Sequence, residues 1–322
     1  MKILIASQID ADALKLLADQ HEVVCAFDAK PEELQTAVKG CEALIFRSGV
    51  KITREVMESS PDLQLIIRAG SGVDNIDMNY VRERQLELHR IPEPGARAVA
   101  EISFGFMVAL SRSLFLADQM TRQGHWIKHE IEGYLLYDKT LGIVGLGNVG
   151  SAVGQLGVKW GMKVIGCVEH PSYEREVEFA ARGIQLVEFD EVISRSDYIS
   201  IHVPLKDSTR NLINSEVIHK MKQGVYLVNL SRGGVLDEEA VLHSMRDGGP
   251  TRGVALDVHS KEGEGMISPL ANLPNVILTP HIGAMTVDTQ REIGRRILET
   301  VDEYVLKCVA ANMEVYSSES ER

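Results

Sequence analysis

The stretch from Leu141 to Gly150, reading LGIVGLGNVG, constrains this chain more than any other. A short apolar run leads into Gly145, Gly147 and Gly150, the pattern of a strand turning sharply into a helix whose first backbone amides can meet a pyrophosphate. Three glycines at this spacing are weak evidence by themselves, because a strand-to-helix turn can need them only for packing. Their surroundings strengthen the reading. Thr140 to Val144 has a buried-strand pattern, a helix follows through Trp160, and Met162 to Val168 supplies a second apolar strand. Glu169 closes the unit 24 residues after Gly145, near the roughly 20 at which an acid grips the adenosine ribose of a dinucleotide.

At 322 residues the chain suits two domains better than one core. Its net charge of −12 disfavours nucleic acid or an anionic membrane as a partner, so an anionic substrate would need arginines and backbone amides gathered in one cleft. Cys25, Cys41, Cys167 and Cys308 lack metal-ligand spacing and read as buried thiols of a reducing cytosol, with no metal site visible. MKILIASQID reads as a first strand, its apolar run being too short for a signal peptide. No run reaches the roughly 18 apolar residues of a membrane span. A cytoplasmic protein is the expectation.

Between Lys2 and about Arg90, the apolar runs KILIAS, EVVCA, ALIFRS, LQLIIR and LELHR alternate with helix-like segments, the signature of a parallel sheet covered on both faces. Ligands meet such sheets at the carboxyl ends of strands, where glycines let backbone amides approach an anion. Arg47 and Ser48 after ALIF, and Ser71 and Gly72 after LQLIIR, are therefore candidate substrate contacts; the alternative for Arg47 is a solvated surface charge. After IPEPGA, residues Arg97 to Leu116 read as one long buried helix connecting two domains. Residues 117 to 139 read as an irregular excursion whose Trp126, Tyr134 and Tyr137 serve either a dimer contact or packing against the second domain; a homodimer is the expected assembly.

Past the glycine motif come IQLVEF, YISIHVP, VYLVNL, GVALDV and NVILTP, giving a doubly wound sheet of about six or seven strands. The last long helix, from about Val287 to Val309, returns to the first domain, and the tail EVYSSESER reads as solvated. The expected fold class is α/β, with two doubly wound parallel-sheet domains. Residues 98–286 would form a Rossmann dinucleotide-binding domain inserted into a discontinuous, flavodoxin-like substrate domain of residues 1–97 and 287–322, with a cleft between them.

Three polar groups follow three strands of the second domain: Arg232 after VYLVNL, Glu262 after GVALDV and His281 after NVILTP. Arg232 offers a planar fork of donors that matches a carboxylate. His281 can exchange a proton near neutral pH, and a carboxylate beside it favours the imidazolium form. Each has a plainer reading as an exposed turn or loop residue, and Glu262, in the charge run SKEGEGM, most of all. A hydride-carrying cofactor, a cation for a carboxylate and an acid/base are the parts needed to interconvert a 2-hydroxy acid and a 2-keto acid.

The ordered set RAGSGVDNID, VAE, GLGNVG, HVPL, NLSRGG, ALDV and TPHIGA, over about residues 3 to 310, resembles the D-isomer-specific 2-hydroxyacid dehydrogenase family, and in particular its D-3-phosphoglycerate dehydrogenase branch. The resemblance implies Arg232 as the substrate-carboxylate clamp, His281 as general acid/base and Glu262 as its carboxylate partner. It implies NAD contacts at Asn148, Val149, Val203, Pro204, Leu230, Ser231, Asp257 and Gly283. Glyoxylate or hydroxypyruvate reduction, or NAD(H) sensing by a corepressor-like protein, would use the same set.

The chain also departs from the family pattern. Where the family has an acid, this sequence has Val168, with Glu169 one residue later; Glu169 would still repel a 2′-phosphate, favouring NAD over NADP. Glu262 is followed by Gly263 rather than proline, which leaves Glu264 as a second candidate partner for His281.

Overall fold

The computed structural model describes residues 1–27 and 29–320, for residues 311–320 the backbone. The chain divides into two compact units, Met1–Pro94 with Met285–Arg322, and Gly95–Ala284. Among the described residues no single helix is long and apolar enough to cross a membrane.

The first unit is built on strands β1 (Lys2–Ile5), β2 (Glu22–Cys25), β3 (Ala43–Phe46), β4 (Leu65–Arg68) and β5 (Glu87–Arg90), all parallel in the order β2-β1-β3-β4-β5. The central strands β3 and β4 are wholly buried and apolar but for Arg68 at the end of β4, because helices cover both faces of the sheet. The carboxy-terminal helix Val287–Ser320 completes one face, burying Ile293, Ile297, Val301 and Tyr304 against Ile3, Ile5 and Leu17. It outruns the expected end at Val309; the solvation of the EVYSSESER side chains lies outside the described residues. Cys41 and Cys167 are buried, but Cys25 is exposed, because β2 is an edge strand.

The second unit carries seven parallel strands: β6 (Thr140–Val144), β7 (Lys163–Cys167), β8 (Ile184–Leu186), β9 (Tyr198–Ile201), β10 (Val225–Asn229), β11 (Thr251–Leu256) and β12 (Val276–Leu278). Their order is β12-β11-β10-β9-β6-β7-β8, which reverses direction between β6 and β9. Both sheets are thus doubly wound, and each has one switch point, β1/β3 in the first and β6/β9 in the second.

The long helix differs from expectation at both ends. It runs Glu93–Ser111, taking in Pro94 and Gly95, since proline is tolerated in a first helical turn where no intrahelical N–H bond is lost. It stops because Ser113 is left-handed, with φ of 47°, and a second helix Leu114–Arg122 follows where irregular chain was expected. The first helix buries eleven residues and the second none, so only the first is a core element.

Candidate active site

In the second unit β6 runs into Gly145, whose φ of +97° favours glycine. A Cβ there would lie 2.8 Å from both the His202 carbonyl oxygen and Val203 Cγ1, so the turn packs directly on the chain leaving β9, at the switch point. A Cβ on Gly150 would overlap the Gly145 carbonyl oxygen, and this contact seats the helix Asn148–Lys159 on the turn. Gly154 and Gly157 continue that contact against Ile143, Ile184, Leu141 and Val164. Their spacing from Gly150, readable in the sequence, places all three on one helical face.

Gly147, by contrast, faces open space: a Cβ there would meet nothing within 4 Å, and no side chain caps the helix that begins at Asn148. Glu169 follows β7, exposed and salt-bridged to Lys206 Nζ at 2.6 Å. The hydrogen bond and charge of Lys206 hold its carboxyl below the ordinary range. Lys206 lies in a loop shaped by Thr209, whose hydroxyl donates to the Pro204 carbonyl at 2.6 Å and accepts from the Lys206 N–H at 2.8 Å.

Strands β10, β11 and β12 are neighbours, so the groups following them come together despite their separation in sequence. After β10, buried Asn229 shapes the turn by accepting from the Ser231 N–H and hydroxyl at 3.0 and 2.7 Å and donating to the Arg232 carbonyl at 3.1 Å. Arg232 Nη1 donates to the Ser231 carbonyl at 2.8 Å, and Leu230 and Ser231 are buried beneath. Asp257, after β11, accepts from the Thr279 hydroxyl (2.6 Å), the Ile282 N–H (2.8 Å) and the Gly283 N–H (2.7 Å). In this structure its carboxylate therefore shapes the turn bearing His281. That turn holds His281 at a φ of 56°, a conformation that costs on the order of 1 kcal/mol for a residue with a side chain.

His281 Nδ1 meets Glu262 Oε2 at 3.2 Å, and Glu262 Oε1 accepts the His259 N–H at 3.2 Å. Partial burial disfavours the Glu262 charge, but the hydrogen bond and charge of His281, with the His259 N–H, outweigh it and hold the carboxyl below the ordinary range. Glu262 and Glu264 both lie on the exposed loop, and it is Glu262 that the loop brings to the histidine. With Nδ1 directed to a carboxylate, the second ring nitrogen is the one positioned to exchange a proton with a bound molecule.

The first unit presents its own strand ends. The Arg47 N–H donates to Ser7 Oγ at 3.0 Å, joining the chains that leave β3 and β1 at the switch point. Its Nη2 approaches Met285 Sδ at 3.2 Å, and its Nε is buried with no partner among the described residues. Burial pushes its pKa down, so it is not the solvated surface charge of the plainer reading. Ser48 and Ser71 are exposed, and Gly72 is partly buried. Arg68, at the end of β4, is buried and ties the loop of Ser71 and Gly72 together, donating to the carbonyls of Gly72 (3.0 Å) and Ala69 (2.9 Å).

Residues 104–283 match the family model of the D-isomer specific 2-hydroxyacid dehydrogenase NAD binding domain. The chain belongs to the D-isomer specific 2-hydroxyacid dehydrogenase family. It is 37% identical over 314 residues to a D-3-phosphoglycerate dehydrogenase of Methanocaldococcus jannaschii, covering 97% of this chain and 59% of that protein. It is 36% identical to a hydroxypyruvate reductase of Thermotoga maritima, covering 91% of this chain and 94% of the relative. The crystal structure of a D-lactate dehydrogenase from Aquifex aeolicus, complexed with NAD and lactic acid, matches with a TM-score of 0.82 at 27% identity, covering 96% of each chain. The chain thus spans about three fifths of the phosphoglycerate dehydrogenase and nearly all of the hydroxypyruvate reductase.

The second unit holds the family's NAD binding domain, and its residues fit the dinucleotide. The open face of Gly147 and the uncapped helix after it suit a pyrophosphate, and the exposed carboxylate of Glu169 suits a ribose diol.

Proposed function

We propose that this chain is an NAD-dependent dehydrogenase interconverting a D-2-hydroxy acid and its 2-keto acid, with 3-phosphoglycerate the first substrate to test and hydroxypyruvate or glyoxylate reduction the alternative. One observation carries the reading: an imidazole hydrogen-bonded to a carboxylate, with an arginine beside them in strand order, at the carboxyl ends of three adjacent parallel strands.

In this reading Arg232 binds the substrate carboxylate through its planar fork. His281 moves the proton between its outer ring nitrogen and the substrate oxygen, while ionised Glu262 orients the ring and stabilises the imidazolium. Gly145, Gly147, Asn148, Val149, Gly150 and Glu169, with the loop residues Val203 and Pro204, would hold NAD, which would supply the hydride chemistry when bound. Leu230, Ser231, Asp257 and Gly283 complete the proposed NAD-binding set. Arg47, Ser48, Ser71 and Gly72 remain the proposed substrate contacts of the first unit.

The test is oxidation of NADH and of NADPH by a panel containing 3-phosphohydroxypyruvate, hydroxypyruvate, glyoxylate and pyruvate. Steady turnover with NADH and at least one keto acid is expected. Tight NADH binding with no turnover on the panel would instead fit a nucleotide-sensing protein and overturn the reading.

We also propose a homodimer formed through the second unit. Leu114, Phe115, Leu116, Trp126, Leu135 and Tyr137 are exposed there, and Leu114 and Leu135 line one groove. Soluble monomers rarely leave so much large apolar surface together. Sedimentation should give twice the chain mass, and Phe115→Glu should reduce it towards one.

A further inference from the structure

His259 lies in the loop after β11. In the structure it touches the neighbourhood of all three proposed chemical groups. Its N–H donates to Glu262 Oε1 at 3.2 Å. Its ring Nε2 lies 2.9 Å from the Thr279 carbonyl. That carbonyl can only accept, so Nε2 carries the proton and ties the loop to the chain two residues before His281. Its own carbonyl packs on Gly233, next to Arg232, so closely that a Cβ on Gly233 would overlap it. Nδ1 of the same ring is buried with no partner among the described residues, so the side chain has one polar anchor, Thr279.

The rest of the loop needs such an anchor. Gly263 and Gly265, at φ of 130° and 78°, follow Glu262 and leave flexible backbone on its carboxyl side. A second tie lies on either side of that stretch: buried Glu238 accepts the Ser260 N–H at 2.6 Å and the Ser268 hydroxyl at 2.7 Å. Glu238 thus fixes the ends of the segment, and the His259 ring ties it to Thr279, beside the Glu262–His281 contact itself.

We infer that His259 is a positioning residue for the acid/base pair, its side chain docking the Glu262 loop onto Thr279 so that the carboxylate meets His281. The inference rests on the function proposed above and goes further by assigning a role to a residue outside the arginine, glutamate and histidine set. Glu262 is faced by His281 from the turn after β12 and by His259 from its own loop. Freeing the loop weakens both interactions, and both favour the ionised carboxylate. Glu262 then takes up its proton at a higher pH.

The experiment measures kcat and kcat/KM against pH for keto-acid reduction by the full-length wild type, His259→Ala, His259→Gln and His281→Ala, with circular dichroism to verify folding. His259→Ala is expected to lose roughly tenfold to hundredfold in kcat, the scale of a misplaced catalytic group. The KM for NADH should stay within about twofold, since binding unrelated to the reacting centre is not touched. The acidic limb of the profile should move to higher pH. Gln can still donate to the Thr279 carbonyl, so His259→Gln should recover most of the rate and the original limb. Should the Ala variant not fold, His259→Asn, which stays polar but falls short of Thr279, replaces it. An acidic limb that stays in place, or a Gln variant as impaired as Ala, overturns the proposal while an inactive His281→Ala leaves the broader reading standing. An active His281→Ala overturns the acid/base assignment and this inference with it.

Discussion

The two sheets share a plan, yet their strand ends hold different kinds of chemistry. In the second unit the ends of β10, β11 and β12 carry a guanidinium, a carboxylate and an imidazole, and the last two are hydrogen-bonded to each other. In the first unit the ends of β3 and β4 carry two arginines, Arg47 against Met285 and Arg68 bonded to the carbonyls of its own loop. Arg68 is locked into its own loop, whereas Arg47 keeps a buried Nε with no partner among the described residues. Architecture positions a site in both, but only the residues at the strand ends decide whether that site moves protons or holds anions.

If that contrast is right, variants of the second unit should lower kcat and variants of the first should change KM or stability. The largest effect is expected for His281→Ala, a fall of about 10²- to 10⁴-fold in kcat, read from steady-state reduction of the best keto acid. Retained activity would break the comparison at its strongest point. Glu262→Gln should follow, costing about tenfold to hundredfold and flattening the acidic limb of kcat/KM. The sign follows from the depressed carboxyl: Glu262 is ionised above its lowered pKa and loses its function as pH falls through it, so a residue that cannot titrate has no such limb.

Arg68→Ala is expected to act on stability instead. Two hydrogen bonds from a buried guanidinium are lost, and a loss of about 3 kcal/mol in a denaturant titration is the expected scale. A variant as stable as the wild type would show that the loop of Ser71 and Gly72 does not depend on it. Arg47→Ala should leave kcat nearly intact and raise the keto-acid KM about tenfold, the scale of one charge-assisted hydrogen bond. Glu169→Gln should have the smallest effect, a rise of a few fold in the KM for NADH, with discrimination against NADPH reduced as the negative charge is removed.

Apolar periodicity made most of the fold legible. Each of the twelve strands among the described residues falls within a run marked in the sequence, most clearly the central ones, which are covered on both faces and must be apolar nearly throughout. The long helix was the exception: no composition signal marks Ser113, and only the left-handed turn there shows where the helix ends. Arg232, Glu262 and His281 were legible as strand-end residues, since in a parallel sheet all strands end at one edge. Asn229, Glu238, Arg68 and His259 were not. Glu238 and His259 act through bonds to segments about 20 residues away, and Asn229 and Arg68 through bonds to the backbone of their own turns, and apolar periodicity carries no record of either kind of partner.

The sequence by itself determined two α/β units, the glycine turn for a dinucleotide and the identity of the three polar groups. Only the tertiary structure decided that Glu262 rather than Glu264 reaches His281, that Asp257 braces the histidine's turn, and that Glu169 is paired with Lys206. The physical reason is the same in each case. Chain periodicity fixes which residues lie at a sheet edge, but hydrogen bonds of about 3 Å depend on loop paths set by packing across strands.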